Sequence, residues 1–136
     1  MMNDKYQLYQ NTEALLTAVN RLDLPALRTM VDDDFGIVDV DPEGNPIVIE
    51  NMDEWEAYME KNMLAMQALH AKLSYEIDEY HEKASDRMAY VVVKFTQQVH
   101  IPEKPEMTHH CIATIVWKQT VKGWKEARWH CSRLPS

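Results

Sequence analysis

The chain has 136 residues and a formal net charge of −8 at neutral pH, which fits one domain of ordinary size and argues against a nucleic-acid partner, whose phosphates demand a basic surface. With 46% hydrophobic and 26% charged residues, it can bury a core and lies outside the disordered class. No apolar run approaches the ~20 residues that span a bilayer, and the start MMNDKYQLYQ lacks the basic and apolar segments of a signal peptide, so a cytoplasmic protein with no membrane partner is expected.

Leu8, Thr12, Leu15, Leu16 and Val19 recur at helical spacing and predict a first helix from about Asp4 to Arg21. Asp23 and Pro25 mark a second start, because an Asp accepts orphan N–H groups and Pro suits a first turn. Leu24, Leu27, Met30 and Val31 give that short helix one apolar side, and Asp32, Asp33 and Asp34 are expected to end it. Phe35 to Val40 reads as a strand, Asp41 to Pro46 as a turn and Ile47 to Ile49 as a short return strand. Asn51 and Glu54 form a capping-box-like start for a third helix. Met52, Trp55, Met59, Met63 and Met66 stripe one of its faces. Such a stripe serves a core, or an adaptable pocket lined by flexible thioethers.

From His70 the period changes to two. Leu73, Tyr75 and Ile77 alternate with polar residues, Ala84-Ser85-Asp86 turns the chain, and Tyr90 to Ile101 is a long strand. Val91, Val93, Phe95, Val99 and Ile101 share one face of it, and Tyr90, Val92 and Lys94 share the other. Pro102 to Met107 breaks the pattern. A closing hairpin from His109 to Leu134, with its loop centred on Val121, would pair Lys118 with Trp124, Val116 with Glu126 and Ile112 with His130, and set Cys111 opposite Cys131. This register puts Cys111, Ala113, Ile115, Trp117, Ala127 and Trp129 on the interior face. A one-residue slip would exchange the faces.

The charge is uneven: residues 1–60 hold 14 acids and 3 bases, and residues 61–136 hold 8 acids and 11 bases. Either the helices present a solvated acidic face, or the later sheet prefers an anionic ligand. The two cysteines are too few for a disulfide scaffold and form no CxxC pair. They read as reduced core residues, a cross-strand disulfide or, least supported, a nucleophile with no His on its face.

The order of elements, helix, short helix, strand pair, helix and long antiparallel strands, resembles the nuclear transport factor 2-like superfamily, which includes ketosteroid isomerases, SnoaL-like polyketide cyclases, scytalone dehydratases and calcium/calmodulin-dependent kinase association domains. The most specific segment is the ending: Thr114-Ile115-Val116-Trp117-Lys118, Gly123-Trp124 and His130-Cys131-Ser132 are similar to the T-x-V-W … G-x-W … H-x-S pattern of the association domains and SnoaL-like proteins, except that the glycine here directly precedes the tryptophan. Asp86 to Val91 similarly resembles the family's turn into a long strand. The resemblance implies a single α+β domain over residues 1–136. Its cone-shaped, curved antiparallel sheet, cystatin-like, would wrap around three helices of the N-terminal half and leave a cavity. It also implies a homodimer through the outer sheet face, formed by Tyr90, Val92, Ile112, Val116, Trp124, Arg128 and His130.

Within such a cavity Asp39 is the first candidate for acid–base work, with Tyr58 or Tyr75 as hydrogen-bond donor. The alternatives are a solvated Asp39 and ordinary core tyrosines. Met59, Met63, Phe95, Gln97, Trp117, Trp129, Cys131 and Arg133 are the candidate ligand-binding residues, with Arg133 at the mouth suited to a carboxylate. The association domains commonly carry an Arg where this chain has Cys131, so Arg133 is at most a substitute for that anion site. In the chosen register His110 and His130 lie diagonally, with His100 on the next strand, but neither HxH nor HExxH spacing supports a metal there. No metal or cofactor is expected. Three functions stay open: a homodimeric binder of a small, largely apolar ligand with a polar or anionic end; a cavity lyase, isomerase or cyclase using Asp39 and a tyrosine; and a structural or regulatory association domain.

Overall fold

The computed structural model describes residues 4–41 and 43–135. Pro42, inside the expected turn, lies outside the described residues. The first helix, α1, is Asp4–Asn20, with Leu8, Thr12, Leu15 and Leu16 buried along one side. Leu22 adopts φ 53° beyond its end, so the Asp23 N–H reaches the Ala18 carbonyl at 2.9 Å, as in a Schellman closure. Asp23 then caps α2, Leu24–Met30, accepting the Ala26 N–H at 3.2 Å. In α3, Met52–Leu69, the Asn51 side chain accepts the Glu54 N–H at 2.9 Å, and Glu54 reaches back to the Glu50 N–H at 2.8 Å. The second and third helices therefore start where short polar side chains occupy otherwise orphan backbone groups, and the first closes through the backbone.

The strands are β1 Val31–Val40, β2 Pro46–Ile49, β3 Lys72–Ala84, β4 Met88–His100, β5 Met107–Thr120 and β6 Gly123–Arg133. They form one curved, unclosed sheet in the order β2-β1-β6-β5-β4-β3. Neighbours are antiparallel except β1 and β6, which run parallel, so the sheet is mixed rather than wholly antiparallel. The connectivity explains this pairing. After β2 the chain crosses by α3 to the far edge, then meanders back through β4 and β5, and its last strand arrives beside β1.

Asp32, Asp33 and Asp34 do not end a helix; they belong to β1, whose pairing with β6 shifts between Val31 and Gly36. Cations of β5 and β6 contact two of these residues. Lys118 Nζ lies 3.4 Å from Asp32, and Arg128 donates to the Asp34 carbonyl at 2.7 Å. Gly36 lets the Arg128 side chain pass, since a Cβ there would meet it at 3.2 Å.

The closing hairpin differs from the expected register in an informative way. Thr120 pairs with Gly123, Lys118 with Lys125 and Trp117 with Glu126, around a two-residue loop. Between Val116 and Trp117 the register shifts, so that Val116 pairs with Arg128, Ala113 with Cys131 and Cys111 with Arg133. Ala127 is the extra residue of a β-bulge. Beyond it the offset from the expected pairing is two residues, which preserves the face of every side chain. Before it the offset is one, which turns Trp124 and Glu126 inward. Trp124 packs against the core and leaves the proposed outer patch, and Glu126 is buried rather than outward.

A candidate ligand cavity

Between α1, α3 and the concave side of the sheet lies a cavity of about 320 Å³, at the lower end of the ~300–1,000 Å³ typical of small-molecule sites. Its wall is mainly apolar. Met59 and Met66 come from α3, Phe95 and Val99 from β4, and Trp129 from β6. The Phe95 and Trp129 rings lie 6.4 Å apart, centroid to centroid.

Polar groups gather at two places. The first is where β1, β5 and β6 end side by side. Asp39 points into the cavity, with one carboxyl oxygen accepting the Val40 N–H at 2.7 Å and the other the Trp129 indole N–H at 3.2 Å. Burial raises its pKa, opposed by those bonds, by the Cys131 thiol and by the positive charge of Arg133. Tyr58 also lines the cavity, its phenol held protonated by burial and by the nearby Asp39 charge. Burial first, then Arg133, pushes the His109 pKa down. The Cys131 thiol is held protonated by its hydrogen bond with Cys111, by burial and by Asp39. Both cysteines are free. With Cys111 paired to Arg133 across the ladder, the two are diagonal rather than opposed.

The other polar group is Glu126, at the far end of β6. Its residue is 2% exposed, one carboxyl oxygen is enclosed without a hydrogen-bond partner, and burial pushes its pKa up to about 8. Along one flank Gln97 donates to Asn20 at 3.1 Å, and Asn20 donates to the Leu16 carbonyl at 2.7 Å, which fixes both amides at the wall.

Asp39, Tyr58, Met59, Phe95, Gln97, Trp129, Cys131 and Arg133 therefore share one cavity. Three other sequence candidates do not line it. The Tyr75 hydroxyl contacts Thr17 at 2.9 Å and donates to the Glu13 carbonyl at 3.0 Å, because β3 packs it against α1. Met63 is 38% exposed, since the α3 stripe drifts around the helix as the Met59 and Met66 side chains turn inward. Trp117 is buried in the core and borders a smaller hollow beside α1 instead. The three histidines also separate. His110 faces Thr96, His130 faces Thr114, and His100 pairs with Lys72, so the diagonal contact disappears with the register that implied it. Glu126, His109, Asn20 and Asn62 are lining residues that sequence reasoning missed. For Glu126 the cause is the bulge; for Asn20 the only signal was an amide at a helix end.

A SnoaL-like domain model matches residues 10–136. The chain belongs to the SnoaL-like domain family. No curated protein sequence matches it. Solved structures carry the same fold at low identity. An NTF2-like protein of unknown function from Pseudomonas putida superposes with a TM-score of 0.75 at 15% identity, over 97% of this chain and 87% of that one. The CaMKII hub of S. rosetta gives 0.72 at 18%, over 93% and 94%. An NTF2-like protein of unknown function in nutrient uptake from Rhodospirillum rubrum gives 0.70 at 23%, over 94% and 98%. This SnoaL-like domain thus has the α+β architecture of the NTF2-like superfamily, and no helix among its described residues is long and apolar enough to cross a membrane.

Proposed function

We propose that this SnoaL-like domain binds a small, largely apolar molecule whose polar or anionic end sits at Arg133. The supporting observation is the cavity itself. About 320 Å³ is left open by Phe95, Trp129 and the inner methionines, with an always-charged guanidinium at one end. Asp39 hydrogen-bonds an indole rather than a tyrosine, which favours a binder over an acid–base enzyme. The second reading, a cavity lyase, isomerase or cyclase, keeps Asp39 with Tyr58, the one candidate tyrosine that lines the cavity.

Self-association belongs to the same proposal. On the convex side Tyr90, which is 46% exposed, pairs with Val116, and Val116 with Arg128. Val92, Ile112 and His130 occupy the adjoining rows. This mixed patch of aromatic, aliphatic and Arg side chains has the composition of an interface core, and the similarity to a hub domain agrees with it.

Native mass spectrometry on protein purified from its own cells tests both statements. The expected spectrum is a dimer carrying a small molecule that leaves on denaturation. An empty monomer would overturn the proposal. Isothermal titration with sodium decanoate adds a defined probe: Arg133→Gln is expected to weaken binding about tenfold, the loss of one charge-assisted contact.

A further inference from the structure

Three polar or charged residues are buried among the described residues: Thr12, Asn20 and Glu126. Thr12 donates to the Leu8 carbonyl at 2.7 Å and Asn20 to the Leu16 carbonyl at 2.7 Å. Glu126 has no such arrangement. One of its oxygens is enclosed and unpartnered, and the indole N–H of Trp117, directly opposite on β5, does not close onto it and is unpartnered too. A buried carboxyl without a partner is costly to keep. Apolar residues would fill the position at no such cost. The bulge at Ala127 holds Glu126 inward, where it borders the ligand cavity.

We infer that Glu126 is a ligand-recognition subsite, which takes a neutral oxygen, a hydroxyl or carbonyl, at the inner end of the bound molecule. This assignment rests on the cavity reading above and specifies its ligand. A strand rise of ~3.3 Å per residue separates Glu126 from Arg133 by on the order of 20 Å along β6. The two therefore serve opposite ends of the cavity. Among the described residues the only Lys or Arg bordering the cavity is Arg133, at the other end. In that apolar setting the carboxyl is most stable as the neutral acid, which both donates and accepts. A hydroxyl or carbonyl satisfies it without creating charge, whereas an ammonium would require a buried ion pair with its desolvation cost. The ligand class is an oxygenated organic acid: carboxylate toward Arg133, apolar body along Phe95 and Trp129, hydroxyl or keto group toward Glu126.

Isothermal titration at neutral pH with decanoate, 10-hydroxydecanoate and 10-aminodecanoate tests this on the full chain and on Glu126→Gln and Glu126→Leu, each checked for folding by circular dichroism. Wild type is expected to bind the hydroxy acid at least about tenfold tighter than decanoate, since an apolar chain end leaves the buried acid unpaired. Glu126→Gln, which still donates and accepts, should keep the preference, and Glu126→Leu should lose it. Equal binding of decanoate and the hydroxy acid by wild type would overturn the subsite and leave the cavity reading standing. So would a preference that survives in Glu126→Leu, or tightest binding of the amino acid. Binding of none of the three would overturn both.

Discussion

Asp39 and Glu126 border the same cavity, yet their surroundings have little in common. Asp39 sits where β1 and β6 run side by side, with a backbone N–H, an indole N–H and a guanidinium close by. Glu126 sits where β6 leaves its turn, facing a tryptophan whose indole N–H does not close onto it, and among the described residues the one Lys or Arg lining the cavity, Arg133, lies at the other end. Both pKa values are raised by burial, but only at Asp39 do partners oppose the rise. Equal chemistry thus acquires unequal proton affinity from the number of donors around it. One end of the cavity is organised to hold charge, the other to exclude it.

The largest test of this contrast is stability against pH. The folded chain keeps the Glu126 proton until about pH 8, whereas an ordinary Glu releases it near 4.5. Between those values the folded state binds more protons than the unfolded one, so stability falls as pH rises and the loss is complete above the folded pKa. At about 1.4 kcal/mol per unit the full effect is on the order of 5 kcal/mol. Urea titrations from pH 5 to 8.5 are expected to show this decline in wild type and to lose it in Glu126→Gln, which keeps only the smaller contributions of Asp39 and His109. A parallel decline in both would remove Glu126 as its source.

A smaller effect is expected from Trp129→Phe, which strips Asp39 of its indole donor and makes it more like Glu126. The Asp39 pKa, followed by carbon-detected NMR of its carboxyl, should rise further, and stability above that pKa should drop by about 1–2 kcal/mol. An unchanged Asp39 titration would mean that the bond at 3.2 Å contributes nothing. The smallest effect is expected from Tyr58→Phe. Its hydroxyl senses the Asp39 charge, but the Asp39 oxygens accept from Val40 and Trp129 instead, so stability should change by no more than ~0.5 kcal/mol. A loss of several kcal/mol would reveal Tyr58 as a structural partner of Asp39.

Much of the architecture was legible because it is written in local chemistry. Asp23 and Asn51 announce helix starts through their side-chain oxygens. The alternation from Val91 to Val99 follows from the two-residue period of a strand. The inward turn of Cys111, Trp129 and Cys131 also came through, since a two-residue error in pairing leaves faces unchanged. What could not be read depends on contacts distant in sequence. The parallel β1–β6 pairing requires the whole meander to be complete. Tyr75 looks like a cavity residue until α1 offers it Thr17 and the Glu13 carbonyl. The inner acid was hidden by one inserted residue that no periodicity reveals.

That inserted residue gives the closing hairpin something like a reading frame. From Arg128 onward, odd-numbered side chains of β6 face inward; before Ala127, even-numbered ones do. Deleting Ala127 would merge the two segments into a regular ladder and leave Glu126 opposite Trp117. Inserting one residue between Val116 and Trp117 would instead match the bulge and turn Trp117, Trp124 and Glu126 outward together. The acid at the bottom of the cavity and the aromatic anchors at the hairpin tip thus face inward because Ala127 bulges out of the ladder instead of taking a place in it. One inserted codon would withdraw Glu126 from the cavity and touch none of the residues that line its mouth.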